Sequence, residues 1–395
     1  MMEEFYRIRR LPPYVFAEVN RQKSEARAAG RDVIDLGMGN PDLPTPSFIV
    51  DKLCEVARDP KAHRYSASKG ISGLRKAQGR YYERRFGVKL NPETEIIATL
   101  GSKEGFANLA NAITAPGDVI LSPNPSYPIH AFGFIMAGGV MRALPSGPGP
   151  EWFVSAEKAV KYSVPKPIAV VLNFPSNPTA EVAGLDFYKD VVAFAKKHDL
   201  ILISDLAYAD IYFGDPPPSI LQIDGAKDVA IEFTSMSKTF SMPGWRMGFG
   251  VGNEKLIGAL TRVKSYLDYG AFTPIQVAAV AALDRSEEVS AEVRDVYRKR
   301  LDVMVDSFHN AGFDIPRPEA SMFVWAPVPA AFENDSLGFA KHVLAHGDVA
   351  LSPGVGFGER GEGFVRIALV ENEQRIRQAA RGIGRALRSN YPQVA

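Results

Sequence analysis

Leu200-Ile201-Leu202-Ile203-Ser204-Asp205-Leu206-Ala207-Tyr208 is an apolar run that ends in an acid and then, three residues on, a tyrosine. An unbroken apolar run of this length suits a strand buried on both faces of a parallel sheet. Open α/β sheets bind their ligands just beyond the C-terminal ends of such strands, and Asp205 stands at that end. Taken alone, Asp205 reads more readily as the cap of a following helix. Upstream, Val170-Val171-Leu172-Asn173-Phe174-Pro175-Ser176-Asn177-Pro178-Thr179 is a second apolar run. It closes in an Asn-Pro turn that brings the Asn177 amide to the same sheet edge. A third run, Ile96-Ile97-Ala98-Thr99-Leu100-Gly101-Ser102-Lys103-Glu104-Gly105, enters a helix through glycine and serine. Free N–H groups and the helix dipole make such a start a phosphate site, although an ordinary strand-to-helix turn has the same look.

Downstream, Thr234-Ser235-Met236-Ser237-Lys238-Thr239 precedes Gly244-Trp245-Arg246-Met247-Gly248. A lysine among small hydroxyl residues can bond covalently to an aldehyde, while the hydroxyls and the Arg246 guanidinium hold a phosphate ester on the same molecule. Pyridoxal 5'-phosphate carries both groups. In isolation the segment would read as a solvated loop lysine. Asp205 can pair with a pyridine nitrogen, and Tyr208 and Asn177 can hydrogen-bond a ring oxygen.

Strand-like runs at 96–100, 118–122, 168–173, 200–204, 229–234 and 247–251 alternate with helical stretches at 104–115, 127–138, 186–198 and 254–268. That alternation predicts an α/β fold whose mainly parallel sheet is covered by helices. The C-terminal part predicts a long charged helix through Val293 to Ala311, short strands near Phe323–Trp325 and Phe364–Ala368, and a closing helix from Asn372 to Leu387. The stretch Leu144 to Pro150 reads as a surface loop.

These segments, in this order, resemble the class I/II aminotransferases of the fold-type I pyridoxal phosphate enzymes. The likeness spans nearly the whole chain. It extends to Gly37-Met38-Gly39-Asn40-Pro41-Asp42, Arg64-Tyr65-Ser66, Asn124-Pro125-Ser126-Tyr127-Pro128 and Val365-Arg366-Ile367-Ala368. The resemblance implies that Lys238 holds the cofactor and moves the substrate's α-proton, that Asp205 pairs with the ring nitrogen, and that Tyr208 and Asn177 bond the ring oxygen. Tyr127 is expected on the ring face, where many relatives carry another aromatic residue. Ser102, Lys103, Ser235, Ser237 and Arg246 are expected around the phosphate, with Tyr65 reaching the phosphate of a neighbouring subunit in a homodimer. Arg366 is expected to clamp the substrate α-carboxylate, helped by Asn177 and the Gly39 backbone; without the resemblance it would read as a surface arginine on an edge strand. Tyr14, in an extended aromatic segment, is a candidate lid residue. The implied domains are a large cofactor-binding domain over residues 46–288 and a small one that combines residues 1–45 and 289–395.

The implied chemistry is ping-pong transamination between an L-amino acid and a 2-oxo acid. Within the family the chain resembles the bacterial alanine (glutamate-pyruvate) aminotransferases, a subgroup that shades into LL-diaminopimelate aminotransferases. Aspartate, methionine and aromatic donors remain alternatives, as does a carbon-sulfur lyase or decarboxylase of the same fold. Glu104, Lys264 and Tyr269 are candidate readers of the substrate side chain.

With 395 residues, two domains are expected. A formal net charge of +1 gives no drive toward nucleic acid or anionic membrane. The single cysteine, Cys54, excludes an internal disulfide and reads as a packed thiol on an amphipathic helix. No apolar run approaches the roughly 18 residues of a membrane span, and the expected compartment is the cytoplasm. His342 and His346, four residues apart on a predicted helix, lack a third metal ligand nearby, so no metal is expected. The alternate glycines of Gly248-Phe249-Gly250-Val251-Gly252 fail the dinucleotide-binding spacing and read as close strand packing.

Overall fold

Burial on both faces turns the apolar runs into one sheet. The computed structural model describes residues 5–12 and 15–389. In chain order the strands are β1 (Ile34–Asp35), β2 (Ile96–Thr99), β3 (Val119–Asn124), β4 (Val140–Pro145), β5 (Pro167–Asn173) and β6 (Ile201–Asp205). They continue with β7 (Ala230–Ser235), β8 (Gly248–Gly252), β9 (Phe323–Pro327), β10 (Val349–Ala350), β11 (Ser352–Pro353) and β12 (Phe364–Ala368). Seven of them form the large sheet in the order β2-β8-β7-β6-β5-β3-β4. All neighbours in it are parallel except β8, which runs antiparallel to both β2 and β7.

Side chains alternate between two apolar layers. On β6, Leu202 joins the apolar cluster that holds Tyr188 and Val191 of the helix Leu185–Lys197, whereas Ile203 joins the one that holds Phe106 and Leu109 of the helix Ser102–Ile113. Each such side chain contributes about 1.5–3 kcal/mol of transfer free energy. The sheet edge at Asp205 is therefore held between two helical layers.

Most predicted elements lie within a few residues of those observed. The loop expected over 144–150 is found over 146–149 and corrected at its ends: Leu144 and Pro145 complete β4, and Pro150 opens the helix Pro150–Tyr162. An edge strand that leaves Val140, Arg142 and Ala143 exposed has no doubly buried signature, and proline at a helix start loses no needed hydrogen bond. Cys54 is a second correction, because it is exposed. The helix Ser47–Ala57 buries Ile49 and tucks in Leu53, which leaves Val50 and Cys54 on its outer face.

The remaining strands lie beyond the large sheet. β11, β12 and β9 form an antiparallel sheet with Arg366 opposite Trp325 and Ser352, and β1 pairs in parallel with β10. The 25-residue helix Ser286–Asn310 packs on the closing helix Glu373–Arg388, whose start is capped by the Asn372 side chain. From the long helix, buried Arg300 forks onto Asp42 at 2.6 and 2.7 Å and donates to the Leu369 carbonyl. No described helix is long and apolar enough to cross a membrane.

Candidate active site

The C-terminal ends of β5, β6 and β7 open into a cavity of about 390 Å³. Its walls include Gly39, Ser102, Lys103, Tyr127, Asn177, Asp205, Tyr208, Ser235, Ser237, Lys238, Arg246 and Arg366. Of the residues nominated from sequence, Tyr14 lies outside the described residues. Tyr65 lies away from this cavity, 86% exposed, with its ring 4.6 Å from that of Tyr269.

Asp205 is buried at the base. Its Oδ1 accepts the Ala207 N–H at 3.2 Å, and a turn follows, so the helix-cap reading does not hold. Its Oδ2 lies 2.8 Å from Nε2 of His130, a fully buried histidine that sequence reasoning missed. The available signal was spacing, since His130 follows Tyr127 by three residues, and the two rings meet edge-on at 5.9 Å. Asn173 donates from Nδ2 to the Asp205 carbonyl at 3.1 Å. Tyr208 is buried, and that burial raises its hydroxyl above the ordinary value.

Arg366 forms another wall. Nη1 donates to Asn177 Oδ1 and Nη2 to the Gly37 carbonyl, both at 2.8 Å. The rings of Phe323 and Phe357 lie 4.1 and 4.7 Å from the guanidinium carbon. Stacked rings hold a guanidinium plane without consuming its donors.

Lys238 sits on the short helix Met236–Thr239, where Ser235 Oγ accepts the Ser237 N–H at 3.2 Å. Its Nζ donates to the Gly39 carbonyl at 2.9 Å. Burial, then the positive charges of Arg366 and Arg246, bring the amine down to about 8, with Asp205 acting in the opposite direction. Arg246 adopts a left-handed backbone (φ 57°) and donates from Nη2 to the Leu100 carbonyl at 3.1 Å. Gly101 takes a left-handed φ of 86° that residues with a side chain rarely adopt, and a Cβ there would have to push the Arg246 guanidinium aside. Glu104 fixes the same turn by accepting the Leu100 N–H at 2.9 Å.

The donor set fits pyridoxal 5'-phosphate. Hydroxyls, a guanidinium and the free N–H groups of a helix start can hold a phosphate ester. A low-pKa amine can take an aldehyde, and a buried carboxylate can hold a protonated ring nitrogen.

Glu104, Lys264 and Tyr269, the candidate readers of the substrate side chain, do not line this chain's cavity. Lys264 is fully buried and bridges Glu104 Oε1 and Asp268 Oδ2, each at 2.8 Å. Tyr269 is exposed beside Tyr65. The remaining walls include Phe16, Val19, Asn20, Lys23, Asp35, Met38 and Phe357. His342 and His346 lie far along the chain on the helix Ser336–Gly347 with rings 4.4 Å apart, and no cluster of three metal-binding side chains occurs among the described residues.

Residues 31–383 match the family model for aminotransferase class I and II. The chain is 68% identical to AatC of Rhizobium meliloti (strain 1021) over 98% of its length and 96% of that protein. It is 50% identical to glutamate-pyruvate aminotransferase AlaC of Escherichia coli (strain K12), covering 98% and 94%. Identity to LL-diaminopimelate aminotransferase of Dehalococcoides mccartyi (strain CBDB1) is 43%, covering 94% and 95%. Among solved structures, substrate-bound BacF from Bacillus subtilis superposes with a TM-score of 0.91 at 35% identity, covering 97% and 98%.

Proposed function

The chain belongs to the class I and II aminotransferases, which use pyridoxal 5'-phosphate, and we propose that it exchanges amino groups between alanine and glutamate through their 2-oxo acids. The observation that carries the transaminase reading is the convergence of Lys238, Asp205, Asn177 and Arg366 on one cavity. The alanine and glutamate reading is supported by the similarity to the glutamate-pyruvate enzyme and by the apolar groups Phe16, Val19, Met38 and Phe357 among the walls.

The cofactor supplies an aldehyde for the amino group and a ring that draws electrons from the bonds of the α-carbon. Arg366, with Asn177 beside it, takes the α-carboxylate in a two-pronged pair, which orients the α-proton toward Lys238. Lys238 Nζ accepts that proton and returns it on the far side of the exchange. With the cofactor bound, Asp205, backed by His130, would keep the ring nitrogen protonated. Tyr208 and Asn177 would donate to the ring oxygen, and Tyr127 would cover the ring face. Ser102, Lys103, Ser235, Ser237 and Arg246 would hold the phosphate.

In the same proposal, the small domain combines residues 1–45 with 289–395, and the working unit is a homodimer in which Tyr65 reaches its partner's phosphate. The dimer is supported by a surface where Tyr65, Tyr266, Leu267, Tyr269 and Phe272 are all exposed. The 43% identity to an LL-diaminopimelate enzyme favours that substrate as the second reading.

The test is a single-turnover scan of the yellow enzyme with alanine, glutamate, aspartate, LL-diaminopimelate, methionine and an aromatic amino acid. Rapid loss of colour with alanine and glutamate, reversed by pyruvate and 2-oxoglutarate, is expected. Loss mainly with LL-diaminopimelate would replace the proposed substrates. Release of ammonia or carbon dioxide without an acceptor would sink transamination.

A further inference from the structure

Lys23 and Asp35 line the cavity yet hold none of the roles above. Asp35 ends β1, and its Oδ1 accepts the N–H groups of Gly37 and Met38, both at 3.1 Å. Its Oδ2 accepts from Lys23 Nζ at 2.7 Å. Lys23 comes from the helix Phe16–Ala28, which also presents Phe16, Val19 and Asn20 to the cavity, and only 9% of it is exposed. Arg27 approaches the same carboxylate oxygen only to 4.0 Å and stays half exposed, so it does not duplicate the contact.

The segment that Asp35 organises touches both reactive side chains. Gly37 O accepts from Arg366 Nη2 and from Ser352 Oγ, each at 2.8 Å, and Gly39 O accepts from Lys238 Nζ at 2.9 Å. A carboxylate that binds two successive N–H groups fixes the turn of a strap, and a charge-assisted bond on its second oxygen fixes the carboxylate. Arg366 and Lys238 thus lean on one short strap, whose geometry is set from behind by the ion pair.

We propose that Lys23 and Asp35 are positioning residues for the α-carboxylate clamp, acting through the Gly37–Gly39 strap on Arg366. The proposal rests on the reading of Arg366 as that clamp. It predicts a loss shared by alanine and glutamate, because the Gly37 carbonyl bears on Arg366, which takes the carboxylate that both carry.

The test compares wild-type holoenzyme with Lys23→Met, Lys23→Arg and Asp35→Asn. It reads KM and kcat for alanine and glutamate, and calorimetric binding of 2-methylalanine, which carries the α-carboxylate but no α-proton. In Lys23→Met, both KM values and the 2-methylalanine Kd should rise by a common factor, on the order of tenfold to a hundredfold. Lys23→Arg should restore them. Asp35→Asn keeps an acceptor for the two N–H groups but loses the ion pair, and should fall between. A folded Lys23→Met variant with unchanged Kd would overturn the proposal, as would a loss confined to glutamate, which would make Lys23 a side-chain reader. Should Lys23→Met fail to fold, unchanged 2-methylalanine binding in Asp35→Asn would overturn it equally. Arg366→Gln separates the two readings: if it leaves 2-methylalanine binding intact, the clamp assignment itself fails.

Discussion

Cofactor-free protein should capture pyridoxal 5'-phosphate at a rate that rises with pH through a midpoint near 8, since only the neutral Lys238 amine attacks an aldehyde. An ordinary lysine near 10.5 is about 0.03% neutral at pH 7, whereas one near 8 is about 10% neutral, a gain of roughly 300-fold. Burial is the first cause, and the charges of Arg366 and Arg246 follow. Arg366→Gln should therefore move the midpoint upward but leave it below 10.5, because burial persists. The assay is stopped-flow absorbance of the bound cofactor from pH 6 to 10 at fixed ionic strength. A wild-type midpoint near 10, or a downward move in Arg366→Gln, would refute the electrostatic account. The same depression has a stability consequence. Between about 8 and 10.5 the unfolded chain binds more protons than the folded one, so stability rises with pH across that window and is lost as pH falls through 8. The contribution is at most about 3 kcal/mol, reduced because the amine meets a water-accessible cavity.

Subunit mixing tests the shared site: neither Tyr65→Ala nor Lys238→Ala should be fully active alone. Together they should recover about a quarter of wild-type activity, because half the dimers are mixed and each carries one intact site; no recovery would place Tyr65 outside the partner's site. His130→Ala removes the buried partner 2.8 Å from Asp205 and should lower kcat by about tenfold or more, with a smaller change in cofactor Kd. An unchanged kcat would make His130 a packing residue. Lys264→Met removes the buried cation shared by the half-buried carboxylates of Glu104 and Asp268 and should cost about 1–3 kcal/mol of stability, seen as a lower Tm. Its kcat per bound cofactor should stay within about twofold of wild type if Lys264 takes no part in reading substrate.

What the sequence made legible followed from periodicity. β5, β6 and β7 are buried on both faces, so their apolar runs are unbroken and their ends mark the site. β4 was hidden because an edge strand need not be apolar, and the antiparallel direction of β8 was hidden because direction leaves no trace in a run of side chains. His130 stands three residues after Tyr127, but its meaning comes from a carboxylate 75 positions away. Lys23 and Asp35 are only 12 residues apart, yet their contact depends on how one helix lies across one strand. Lys264 failed as a substrate reader for a related reason: a helical position does not reveal whether a charge faces a ligand or two carboxylates.

The chain carries a net charge of only +1, yet Lys23, Lys103, Lys238, Arg246 and Arg366 line the cavity against Asp35 and Asp205. On the proposed reading this excess does two things at once. It holds a phosphate ester at one end and a carboxylate at the other, and it adds to burial, the first cause, in keeping the Lys238 amine low enough to react before substrate arrives. The two effects are coupled through Arg366. A carboxylate seated on Arg366 cancels one of the positive charges that depress Lys238, so substrate binding raises the amine's affinity for a proton. The amine is thus an effective nucleophile in the empty site and a stronger base once an α-proton is there to be taken.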